Sequence, residues 1–176
     1  MKRIFVAGAL VLMALGTALT AMSLHATSGA LHRTVRTAGG ETFAANQRVS
    51  ASLRFIPGDI QIRTGGTLDL QHGDTTQEPH TLSIVNQSDL PASIDDVFNC
   101  GAPGTICDTI FSSLGDNPGA FTEGTGTGTG LDGNLDTMWI NPGQTVSATV
   151  TAPAGTILYF LCAIHPWMQG RIIVTD

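Results

Sequence analysis

Ile157-Leu-Tyr-Phe-Leu161-Cys162-Ala-Ile-His165-Pro-Trp-Met168-Gln-Gly170-Arg-Ile-Ile-Val-Thr175 ends the chain, and its reading decides the fold. The unbroken apolar run 157–161 is what a strand buried on both faces requires, and Gly170–Thr175 reads as a short closing strand. Between them Cys162, His165 and Met168 fall within seven residues, in a loop too short to wander.

Outward from that stretch the chain keeps the same texture. Thr145–Thr151 alternates between two turns, Asn141-Pro-Gly-Gln144 and Pro153-Ala-Gly155, and Thr137-Met-Trp-Ile140 precedes them. Nearer the start, Val49, Ala51, Leu53 and Phe55 alternate with polar residues, and so do Ile60 with Ile62 and Leu68 with Leu70. Pro57-Gly58 and Gly65-Gly66 turn the chain between them; His80 then opens the strand-like His-Thr-Leu-Ser-Ile-Val85 behind Glu78-Pro79. With 21 Gly, 8 Pro and only 12% charged residues, the pattern predicts an all-β domain over 47–176. The expected form is a two-sheet, antiparallel Greek-key sandwich of about seven to eight short strands.

Residues 86–136 differ in character and read as a loop-rich insertion laid over one end of that domain. They carry Cys100 and Cys107, a short helical stretch at Ile106–Leu114, and the Gly-Thr repeat after Glu123, which is expected to be a flexible loop. Asp132-Gly-Asn134-Leu-Asp136 starts like a calcium loop but lacks the Gly at position six and the Glu at twelve. The Gly-Thr repeat is not a phosphate loop, for no Gly-Lys-Ser/Thr follows.

The N-terminus is a targeting element. Lys2-Arg3 precedes the uncharged run Ile4–Met22, so 1–26 is expected to be a signal peptide or a retained membrane anchor, and 27–46 a small, polar tether. Either fate exports the domain to a periplasmic, extracellular or cell-surface location. There the neighbouring Cys100 and Cys107 are candidates for a disulfide, which leaves Cys162 as a lone thiol. Beyond the leader the chain has six Arg, no Lys and fourteen acids, a net charge of about −8. That surface repels nucleic acid and favours basic partners.

Thiolate, imidazole and thioether together suit copper, and two His with one Cys around a distant Met form the blue-copper arrangement. The C-terminal loop supplies one His, so the second comes from elsewhere: beyond the tether only His72 and His80 remain, and His72 sits in an acidic, turn-like stretch that reads as solvated. The tail Tyr159–Val174 resembles the ligand loop of the plastocyanin/amicyanin family of small blue-copper proteins, with the short Cys-x2-His-x2-Met spacing of amicyanin. Phe55–Leu68 through Glu78-Pro-His80-Thr-Leu82 is similar to that family's strands ahead of its first His ligand. The resemblance covers roughly 47–85 and 137–176 and implies a cupredoxin domain with His80, Cys162 and His165 as equatorial ligands of one type 1 copper and Met168 as the axial one. Where many members follow the first His with Asn, Thr81 stands here, and its hydroxyl is expected to tie the ligand loops together.

The resemblance further implies a monomeric electron carrier rather than an enzyme, cycling Cu(I) and Cu(II). A redox protein such as a cytochrome, an oxidase or a dehydrogenase would dock near His165 and Trp167. Copper oxidases and reductases usually flank the Cys with His, whereas Leu161 and Ala163 flank Cys162. A copper carrier or storage protein without a redox partner is the alternative function.

Overall fold

The computed structural model describes residues 29–126 and 128–176, so the leader 1–26 lies outside the described residues. The elements run β1 (Ala30–Ala38), β2 (Glu41–Ala44), β3 (Arg48–Ala51), β4 (Arg54–Ile56), β5 (Asp59–Gln71), β6 (His80–Val85), a 3-10 turn (Gln87–Asp89), α1 (Ile94–Asn99), α2 (Ile106–Leu114), β7 (Phe121–Thr122), β8 (Thr137–Ile140), β9 (Thr145–Thr149), β10 (Ile157–Leu161) and β11 (Gln169–Thr175).

The long β5 joins the two layers. Its first half pairs with β11, Ile60 opposite Ile172 and Ile62 opposite Val174. Its second half pairs with β9 and β1, Leu68 opposite Ala148 and Leu70 opposite Val35. Gly65 and Gly66 lie between the halves. Gly65 has φ +77, and a Cβ on Gly66 would stand 2.9 Å from the Arg63 carbonyl oxygen and 3.1 Å from that of Leu31, so the crossing needs glycine. One layer continues from β11 through β10, β6 and β8 to β7; the other is β4, β1, β5 and β9.

Inward side chains of both layers form one core, including Val35, Phe55, Ile62, Leu70, Leu82, Ile140, Phe160 and Val174. Phe160 is fully buried and meets Phe55 edge to face at 5.2 Å. Such a pair contributes about 0.5–1.5 kcal/mol beyond its area.

Residues 86–136 do more than decorate the sandwich. Helix α2 presents Cys107, Ile110 and Leu114, spaced along one stripe, to Val85, Leu161 and Ala163 on the outer side of β6 and β10. Ser93 and Asp96 form a capping box at the start of α1, and the Cys100–Cys107 disulfide joins the end of α1 to α2. All six residues of β6 are consequently buried, whereas in β10 Ile157 is exposed and burial on both faces is reached only at Phe160 and Leu161. The fully two-sided strand is β6.

Three expectations are corrected. Much of the stretch read as a tether is strand: β1 pairs along β5, β2 and β3 form a hairpin, and Val35 and Thr37 are fully buried. Polar, charged side chains on its outward face masked the alternation of Val35 and Thr37. The sandwich is also mixed rather than purely antiparallel, because β1 and β11 each run parallel to β5. They flank its middle, with Ala30 opposite Ile62, Thr175 opposite Arg63, and the Gly29 N–H donating to Thr175 Oγ1 at 3.0 Å. Finally, the start of the Gly-Thr repeat is pinned: Gly124 N–H donates to Asp136 Oδ1 and Thr125 N–H to the Asn134 carbonyl. Buried Asp136 also accepts from the N–H groups of Asp132 and Gly133, so backbone donors organise the calcium-like pattern.

Candidate metal centre

Pairing of β6 with β8 and β10 sets the site. His80 opens β6 opposite Ile140, and Cys162 directly follows β10, itself paired with β6 through Leu161 and Ser83. The turn after Cys162 is closed by the Met168 N–H donating to the His165 carbonyl and the Cys162 N–H to that of Met168. Three donors converge as a result. Cys162 Sγ lies 3.8 Å from Nδ1 of both His80 and His165, and the two Nδ1 atoms are 3.2 Å apart. A point equidistant from atoms so spaced lies about 2.1 Å from each, close to the bond length from imidazole nitrogen to a first-row metal ion. His80 and Cys162 are inaccessible and His165 is 4% exposed.

Burial tunes the donors. It pushes the Cys162 thiol up, against the N–H groups of Thr81, His165 and Ile164, so thiolate formation is coupled to the arrival of a cation. His80 is lowered to about 4, chiefly by burial and further by His165 and His72, with Asp74 opposing; its imidazole is neutral at pH 7.

Each imidazole faces a carboxylate on its outer nitrogen. His165 Nε2 is 2.7 Å from Glu78 Oε2, and His80 Nε2 is 2.9 Å from Asp74 Oδ2, a close contact outside hydrogen-bond alignment. A carboxylate favours a proton on the nitrogen facing it, which leaves the Nδ1 lone pairs directed into the centre. Two lone pairs at 3.2 Å beside a sulfur repel unless a cation sits between them. The donor set therefore fits a soft or borderline metal ion, and two imidazole nitrogens with a thiolate sulfur fit copper.

Asp74 is held by its own loop and by β1. Burial raises its carboxyl, but hydrogen bonds from the Thr37 and Thr76 hydroxyls and the Thr76 N–H, with His80 nearby, outweigh that and bring it to about 2. Thr81 performs the tying expected of it: its Oγ1 accepts from the Ala163 N–H at 2.8 Å and from Ser83 Oγ at 3.1 Å, while its own N–H points to Cys162 Sγ at 3.4 Å. Trp167 lies edge-on to His165 at 5.3 Å, its indole N–H donating to the Leu53 carbonyl.

The structure thus brings His80, Cys162 and His165 together, and Met168, 1% exposed, packs into the same core as Cys162. His72 is not a solvated loop residue: its side chain is 5% exposed and lies behind Asp74, at 3.7 Å. His32, by contrast, is exposed and pairs with Asp69 on β5. Two acidic groupings, His72–Asp74–His80 and Glu41–Glu78–His165, extend the centre through its own histidines. Sequence reasoning missed Asp74, Glu78 and Thr37. The signal for the first two was Asp74 and Glu78 falling six and two residues before His80 in one loop.

No protein-family model matches the sequence, and no curated protein matches it either. Among solved structures the chain is similar to a purple cupredoxin from Nitrosopumilus maritimus, at 13% identity over 81% of this chain and 98% of that one, TM-score 0.43. It is also similar to auracyanin A, a "blue" copper protein from Chloroflexus aurantiacus, at 17% identity over 82% and 99%, TM-score 0.43. A third is dithionite-reduced auracyanin from Roseiflexus castenholzii, at 17% identity over 85% and 100%, TM-score 0.43. The chemistry of the centre rests on its own side chains and not on these likenesses.

Proposed function

We propose that this protein is an exported electron carrier that binds one copper ion through His80, Cys162 and His165, with Met168 as the axial ligand. The observation that carries the reading is the convergence of Cys162 Sγ and two imidazole Nδ1 atoms in a buried triangle with sides of 3.2–3.8 Å. Copper supplies a one-electron couple there. The chain supplies rigidity: two imidazoles backed by carboxylates, a thiolate between paired strands, and a loop tied by Thr81 keep the donors in place in both oxidation states. Buried side chains exclude water. Electrons enter and leave at the His165 edge, where Trp167 is 39% exposed and a redox partner docks. Glu78 and Glu41 at that edge, on a surface of net negative charge, favour a partner with a basic rim.

Loading the protein with Cu(II) and recording visible and EPR spectra tests the reading. An intense thiolate-to-copper band is expected, and Cys162→Ser abolishes it; a band that survives refutes the ligand set. Copper carriage is the rival function. The burial of all three donors supports slow release, and release to a chelator that outpaces electron exchange with a cytochrome would favour carriage instead.

A further inference from the structure

Ligation by His80 needs no acid behind it, yet a wholly buried carboxylate is there. Burying a charge is costly unless partners hold it. Asp74 has them: Oδ1 accepts from the Thr76 N–H at 2.9 Å and the Thr76 hydroxyl at 2.6 Å, and the Thr37 hydroxyl also donates to the carboxylate. Thr37 itself is fixed by the Gly73 N–H, 3.0 Å from Oγ1, and by its place in β1. With Oδ1 occupied, Oδ2 is left facing His80 Nε2 at 2.9 Å and His72 Nε2 at 3.7 Å. The opposite imidazole has a different neighbour: the Glu78 side chain is 51% exposed, so water screens it.

We infer that Asp74 is a positioning residue, a fixed anion behind His80 that holds Nδ1 toward Cys162 and His165 and favours Cu(II) over Cu(I). The inference rests on the copper reading above. Negative charge near the ion stabilises the more highly charged state, and it acts more strongly from a buried site than from the rim. Asp74 and Glu78 are therefore unequal, although each touches one imidazole.

Asp74→Asn in the full chain is the test, because an amide keeps the shape and an acceptor but removes the charge. Affinities for Cu(II) and Cu(I) are read by chelator competition, the midpoint by spectroelectrochemistry, and folding of the metal-free variant by near-UV circular dichroism. Cu(II) affinity should fall about 10–100-fold, Cu(I) affinity less, and the midpoint should move positive. Glu78→Gln should move it less. A wild-type ratio of Cu(II) to Cu(I) affinity in Asp74→Asn overturns the inference, as does an equal or larger shift in Glu78→Gln. Should Asp74→Asn not fold, NMR of the wild-type Cu(I) protein decides: the His80 Nε2 proton should exchange with solvent more slowly than that of His165, and equal rates overturn the assignment. Loss of the thiolate band in wild type itself would instead bring down the copper reading.

Discussion

Thr81→Val removes one hydroxyl and almost no volume. Two donors lose their acceptor: the Ala163 N–H at 2.8 Å and Ser83 Oγ at 3.1 Å, both buried. The Ser83 hydroxyl can rotate to another acceptor, so its loss costs little. The Ala163 N–H is fixed between Cys162 and Ile164 and cannot, and a buried donor left unpaired costs about 1–3 kcal/mol. Together the losses come to roughly 1–3 kcal/mol, which for a domain of this size lowers Tm by about 2–12 °C. Thermal unfolding should be followed on the metal-free protein, where copper affinity does not add to stability. Thr81→Ser keeps the acceptor and should recover most of the loss. A metal-free Thr81→Val protein within about 0.5 kcal/mol of wild type would mean that this hydroxyl does not tie the ligand loop to β6.

Replacing Met168 with Gln should retain copper and lower its reduction potential, since an oxygen donor favours Cu(II); an unchanged potential in voltammetry would remove Met168 from the ligand set. The double substitution Cys100→Ser, Cys107→Ser opens a loop of sequence separation 7 and should destabilise by about 2–3 kcal/mol in urea titration, with the thiolate band retained. Loss of that band would show that α2 shapes the centre rather than merely covering it. In the metal-free protein His80 is neutral down to about 4, whereas an unfolded His takes up its proton near 6.5. The unfolded chain binds more protons between those values, so stability should fall as pH drops from 6.5 to 4. Asp74, at about 2 against 3.8, adds a further loss below pH 3.8. Urea midpoints that stay flat from pH 6.5 to 4 would contradict a buried neutral His80.

Local pattern made the strands around the centre legible, because Leu68 and Leu70, His80–Val85 and Ile157–Leu161 each carry their periodicity in consecutive residues. A short helical turn near Ile106–Leu114 was also expected, and α2 spans it. What escaped was set by distant pairing. The β1 strand buries only Val35 and Thr37 deeply, and Arg33 and Arg36 beside them read as linker; its partner, β5, lies some thirty residues on. Burial of the His72 and Asp74 side chains also reversed part of the reading of residues 72–78. His-Gly-Asp with Glu nearby has the composition of a solvated turn, but the loop folds back under β1, and Thr37 turns Asp74 into part of the interior.

The meeting of Gly29 with Thr175 beside the middle of β5 has an orientational consequence. From there β1 runs to Thr37 and β5 runs to the loop of Asp74, so chain entry and chain exit share one pole of the sandwich and the donor triangle occupies the other. Trp167, edge-on to His165, lies with the donor triangle at the pole opposite the Gly29–Thr175 contact.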